Sequence, residues 1–217
     1  MTFLSEITAI QNIIYIFSSI LFITGIKMLG KEDTAVKGNF FSALAMFIAV
    51  SITLIDVVNP IVLLSGIALG AVIGSFIALK VKMTSIPEMV ALFNGFGGLA
   101  TFLIAWSEFN SIPDNLFQHV LVMTTLYIGG VTFTGSLVAY AKLSEKIKIA
   151  KTSIITKIFT TIFYISLPFL LYSTFVTPFI VTSFEFFTVL LVLTLLGGIG
   201  FVLPIGGGDM PVVISLL

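Results

Sequence analysis

The chain has 217 residues, 58% of them hydrophobic and only 9% charged, and its mean hydropathy is +1.21. So little charge cannot clothe a soluble domain of this size, so the composition describes a membrane protein with little mass outside the bilayer. Ten lysines balance ten acidic residues, cysteine is absent and His119 is the one histidine. This excludes a nucleic-acid footprint, disulfides, thiolate metal sites and a histidine metal cluster within the chain.

A helix needs about 20 apolar residues to cross the hydrocarbon core. In chain order the segments that qualify are Ile7–Met28, Gly38–Val57, Pro60–Leu79, Pro87–Trp106, Leu116–Ala141, Ile154–Phe175 and Phe179–Leu203. A further one begins near Met210 and is cut short. The expected fold is all-α, a polytopic membrane helix bundle of about seven complete transmembrane helices plus a truncated eighth. Connections are short and leave no room for a soluble domain. Helix starts carry capping chemistry: Asn59 before Pro60, a capping box from Ser85 to Glu88, and Asp114 after Pro113.

Lysine gives the expected orientation. The first connection holds Lys27, Lys31 and Lys37, the third Lys80 and Lys82, and the fifth Lys142, Lys146, Lys148, Lys151 and Lys157, while the second, fourth and sixth hold none. The lysine-rich connections are expected in the cytoplasm and the N-terminus outside. The N-terminus lacks the basic region of a signal peptide, and Trp106 falls at the outer end of the fourth span, where interfacial tryptophans gather.

Within the spans, Gly66, Gly70 and Gly74 recur every fourth residue and form a smooth stripe suited to helix packing. Gly95, Gly97, Gly98 and Ala100 match a dinucleotide-binding spacing, but inside a membrane helix, without the flanking strand that motif needs, so Gly95 and Gly98 are read as helix-packing residues. Asn94, in the same helix, is an amide that must find partners in a low-dielectric medium. It is either interhelical glue or the lining of a narrow wet path, where it can orient water but cannot carry a proton. Thr132 and Ser136 share a face of the fifth span, either bonding their own helix backbone or forming a hydroxyl ladder toward the interior that Asn94 faces. Glu88 reads as a capping carboxylate, Asp56 and Glu185 as headgroup-level acids, and His119 as a lone exposed imidazole at the outer entrance. No acid lies at the centre of a span, which disfavours cation transport through a buried carboxylate.

Three blocks taken together carry a family resemblance: VKMTSIPEMVALFNGFGGLAT (Val81–Thr101), GGVTFTGSLVAYAKL (Gly129–Leu143) and GGGDMPVVISLL (Gly206–Leu217). They resemble the membrane part of the beta subunit of proton-translocating NAD(P) transhydrogenase, in order along essentially the whole chain. The resemblance implies an enzyme that moves a hydride between NADH and NADP+ and couples it to proton translocation across a bacterial-type inner membrane. It implies an alpha-subunit partner that binds NAD(H), an NADP(H)-binding domain at the C-terminus of the beta subunit, and a dimer of alpha–beta units. Residues 1–217 then correspond to an incomplete transmembrane proton-channel domain, with both nucleotides bound outside this chain, no metal, and no catalytic residue within it. The family's polar positions fall on Asn94, Ser136 and Asp209, with Glu88 and Thr132 as secondary candidates. Asp209 would start the eighth helix at the rim facing the nucleotide domain, as a cap and a sensor at once. Some members of the family carry histidine in place of Asn94; others pair an asparagine there with a histidine from the partner subunit, and this sequence fits the second pattern. The alternatives are a small secondary transporter, or a non-functional remnant of a truncated gene.

Overall fold

The computed structural model describes residues 2–56, 60–109, 116–147, 153–175 and 184–217. All regular structure among them is helical: α1 (Thr2–Leu29), α2 (Ala35–Thr53), α3 (Pro60–Lys80), α4 (Ile86–Phe109), α5 (Leu116–Leu143), α6 (Ile154–Phe175), α7 (Phe184–Val202) and α8 (Met210–Leu216), with short 3-10 turns before α4 and α8 and after α2. Among the described residues six helices are long and apolar enough to cross a membrane, and α7 with α8, bent by 109° at the break between them, passes the same test as a pair. Asn59 and Asp114 lie outside the described residues, as do the side chains of Asp56 and Glu185.

The chain divides into two compact units, residues 1–79 and 80–217. In the first, α1 and α2 form a hairpin whose backbones touch. A Cβ on Gly38 would lie 2.7 Å from the Gly25 carbonyl oxygen and 2.9 Å from the Leu29 nitrogen, so glycine is what permits the approach. At the other end of the hairpin Tyr15 Oη and Thr53 Oγ1 are 3.0 Å apart. The α3 stripe behaves differently: a Cβ at Gly66, Gly70 or Gly74 would meet no atom within 4 Å.

The second unit is built around α5. Its register against α4 is antiparallel and constant, with Gly129 against Phe102, Gly98 against Thr132 and Phe133, and Gly95 against Ser136. Its other face takes α7, where Gly130 meets Thr194 and Gly135 meets Val202 and Gly198, while α6 packs on α7 through Gly197 and Gly200. Glycine removes side chains where the helices cross, and hydroxyls fill the remaining space. Tyr127 Oη lies 3.0 Å from Ser166 Oγ, and Ser166 in turn donates to the Phe163 carbonyl at 2.7 Å, so the tyrosine is the donor of that pair. Two apolar cores stack along this unit. One gathers Phe102, Met123, Leu126, Leu170, Phe187 and Leu190. The other, at the lysine-bearing ends of the helices, gathers Ala91, Ala139, Val202, Met210, Val213 and Ile214.

Three local expectations are corrected. The capping box from Ser85 to Glu88 does not form, because Ser85 ends a 3-10 turn and its N–H is committed to the Lys82 carbonyl at 2.9 Å, leaving nothing for Glu88 to reach back to. His119 is not exposed: it is 6% accessible, and its Nε2 has no hydrogen-bond partner. It lies in the first turn of α5, one turn before the core residue Met123, and faces the bundle rather than water. Asp209 occupies the residue before α8, as expected, but makes no capping bond. Its backbone is helical, at φ −93° and ψ −1°, which aims the carboxylate away from the first free amides, and Pro211 removes one of those amides.

Candidate functional site

Asn94 of α4 and Ser136 of α5 are brought together. The constant antiparallel register places Gly95 and Gly98 against α5, the helices close up, and Asn94 Nδ2 donates to Ser136 Oγ at 3.0 Å. Ser136 is fully buried and Asn94 half-buried. Both lie nearer one end of the bundle than its middle. At 1.5 Å per residue, Asn94 is about 12 Å from the start of α4 and Ser136 about 10 Å from the end of α5. The pair therefore sits about a third of the way into the membrane from the lysine-bearing end.

One turn earlier on α5, Thr132 is buried and donates to the Leu217 carbonyl at 2.7 Å, which ties α5 to the last turn of α8. Thr134, off that face, bonds its own helix at the Gly130 carbonyl, 3.1 Å away. The two hydroxyls of the ladder thus turn outward from α5 to other helices, and the third satisfies its own backbone. A cleft of about 330 Å³ opens beside them, lined by Asn94, Thr101, Thr132 and Leu217 with the bare backbone of Gly97 and Gly98. It is polar at one wall and large enough for several waters.

Asp209 and Glu88 are not part of this contact. Asp209 is exposed at the turn between α7 and α8, next to fully buried Met210, and Glu88 is half-buried in the first turn of α4. Among the described residues no cluster of acids and histidine could hold a metal ion.

Lys142 passed unremarked in the sequence beyond its use for orientation. Its ammonium donates to the carbonyls of Val202 at 3.2 Å, Ile205 at 2.8 Å and Leu203. These are the last acceptors of α7 and its exit turn, of which Val202 also accepts from the Ile205 N–H at 3.1 Å. No local motif could have announced this, because the partners lie some 60 residues downstream.

The sequence profile of the NAD(P) transhydrogenase beta subunit matches residues 11–217, nearly the whole chain. The chain belongs to the NAD(P) transhydrogenase beta subunit family. Two curated relatives from Rhodospirillum rubrum, each named NAD(P) transhydrogenase subunit beta, are 32% identical to it across 94% of its length. The chain spans 46% of those relatives. It is a multi-pass, all-helical membrane portion of a transhydrogenase beta subunit, and the Asn94–Ser136 contact lies within the matched region.

Proposed function

We propose that this chain forms the proton-conducting membrane domain of a transhydrogenase that couples hydride transfer between NADH and NADP+ to proton translocation. The observation that carries the reading is the Asn94–Ser136 hydrogen bond beside a cleft lined in part by Asn94, Thr101 and Thr132, in a bundle that exposes many large apolar side chains. An amide and two hydroxyls can order water but cannot hold a charge at neutral pH. Asn94, Ser136 and Thr132 are therefore read as the lining of a gated water path, with the titrating group supplied by a partner. Asp209, exposed at the α7–α8 turn, is read as the residue that senses the nucleotide-bound state, and Glu88 as a carboxylate at the same rim. In this reading an alpha subunit binds NAD(H), a further domain of the beta subunit binds NADP(H), alpha–beta units pair as dimers, and the lysine-rich turns face the cytoplasm.

Coupling between distant sites operates through about 1–3 kcal/mol of interaction free energy, so one helix-helix contact of this size matters to it. In the assembled enzyme, Asn94→Leu should lower hydride-driven proton movement by about tenfold or more, the scale of that coupling energy. Proton uptake into vesicles, followed with a pH-sensitive dye during hydride transfer, measures it. Unchanged coupled uptake would remove Asn94 from the path. A secondary transporter would use a broken helix near the bilayer midplane. The α7–α8 break instead lies at the level of Lys142, at the end of the bundle, which favours a gate at the rim over a substrate site.

A further inference from the structure

Lysine 142 closes off the end of α7 from outside that helix. An ammonium has three N–H donors, and the three carbonyls of Val202, Leu203 and Ile205 converge on it. The end of a helix carries partial negative charge, so a cation held there is favoured by the dipole as well as by the bonds. Pro204 lies among these acceptors and has no N–H to offer; the Ile205 N–H bonds the Val202 carbonyl at 3.1 Å, and the ammonium serves that oxygen together with the Leu203 and Ile205 carbonyls. The chain then runs through Gly206, Gly207 and Gly208 to Asp209, whose N–H returns to the Gly206 carbonyl at 3.2 Å. On the far side of the glycines Met210 is fully buried against Ala91 and Ala139. The turn that displays Asp209 is therefore held at its entry by Lys142 together with the packing of Leu203 and Ile205, and at its exit by Met210.

Lys142 and Ser136 stand on one helix, about 9 Å apart along its axis. We infer that Lys142 is a positioning residue that transmits the position of α5, and hence the state of the Asn94–Ser136 contact, to the α7–α8 turn and Asp209. Between the two points of attachment lie three glycines, which have no side chains to fix their conformation. With the ammonium in place the polar entry of the turn moves with α5; without it the turn keeps the apolar packing of Val202, Leu203, Ile205 and Met210 but loses its hydrogen-bonded tie to α5. This deepens the reading of Asp209 as a sensor, but its test requires no nucleotide, partner subunit or proton flux, so its failure leaves the Asn94 assignment standing.

The chain has no cysteine, so a single introduced one takes a spin label cleanly. Gly208 is the place for it, since a Cβ there would meet nothing within 4 Å. Met83, exposed in the 3-10 turn before α4, is the control position. The full chain is reconstituted in lipid vesicles with Gly208→Cys labelled, in the Lys142 background and with Lys142→Gln, each with Ser136 or Ser136→Ala. Lys142→Gln should shift the label's spectrum toward fast motion while the Met83→Cys label is unmoved. Ser136→Ala should shift the spectrum at position 208 only where Lys142 is present. An unshifted Gly208→Cys spectrum in Lys142→Gln overturns the inference, and so does a Ser136→Ala response that is absent in both backgrounds or equal in both. Should Lys142→Gln not fold, Lys142→Met replaces it, and a failure of both is read against the same label in Ser136→Ala alone, whose silence overturns the inference.

Discussion

At the scale of single residues, the end of α5 shows how backbone geometry can matter more than residue type. Glu145 adopts φ 54°, the left-handed conformation, and is the described non-glycine residue that does so. The reason is the helix ending around it. The Lys146 N–H bonds the Ala141 carbonyl at 2.9 Å and the Glu145 N–H bonds the Lys142 carbonyl at 3.1 Å, the paired pattern of a Schellman cap. That pattern demands a left-handed residue and usually takes glycine, because a Cβ costs about 1–2 kcal/mol there. Lys146 helps hold the cap from beyond it, its ammonium 3.2 Å from Tyr140 Oη and 4.8 Å from that ring's centroid. Glu145→Gly should therefore raise stability by about 1 kcal/mol, less whatever the carboxylate's own contacts contribute. Thermal unfolding in detergent micelles measures it, and a lower melting temperature would mean that those contacts outweigh the strain.

At the scale of elements, two adjacent glycines on α4 have opposite meanings. Gly98 faces α5: an added Cβ would lie 2.7 Å from the Phe133 nitrogen and 2.7 Å from Thr132 Cγ2. Backbone cannot retreat as a flexible side chain can, so Gly98→Ala must part the helices, at a cost of about 1–3 kcal/mol. Parting them also lengthens the Asn94–Ser136 bond four residues away. Gly97 faces the open cleft, where a Cβ meets nothing within 4 Å. Gly97→Ala should be neutral or stabilising by up to about 1 kcal/mol, the helix-propensity difference. Comparing the melting temperatures of the two variants checks the register directly, and equal losses would argue against it. This contrast also marks where the sequence stops being informative. Hydropathy places each span because each is long and almost free of charge, and Asn94 stands out because amides are rare there. Which of Gly95, Gly97 and Gly98 bears on a neighbour depends on the rotation of α4 against α5. Which carbonyls Lys142 reaches depends on where α7 ends beside it. Both are properties of helix pairs, and a single run of apolar residues does not contain them. His119 shows the same limit: its charge chemistry suggests water, and only the packing of α5 reveals that it is buried.

At the scale of the whole molecule, the surface and interior exchange their usual roles. Ile, Leu, Phe and Val side chains stand exposed along every described span, while Ser136, Ser166, Thr194 and Thr132 are among the most buried residues. Lipid is as apolar as leucine, so burial of leucine drives little between membrane helices, and close backbone contact with interhelical hydroxyls takes its place. The same medium sets orientation. Lysines close the last turns of α1, α3 and α5, and each would have to shed its hydration to cross the membrane during insertion. The orientation proposed above, with the lysine-rich turns in the cytoplasm, avoids that cost and would put the Lys142 turn, Gly208 and Asp209 on the cytoplasmic face together. The absence of native cysteine makes this measurable. In intact cells a membrane-impermeant thiol reagent should leave Met83→Cys and Gly208→Cys unmodified, and both should react in inverted vesicles, where the cytoplasmic face is outside. Modification of either position in intact cells would reverse the orientation, and opposite behaviour of the two would require an odd number of crossings between them. In the proposed arrangement α4, α5, α6 and α7 each cross once, an even number, so the two labels should agree.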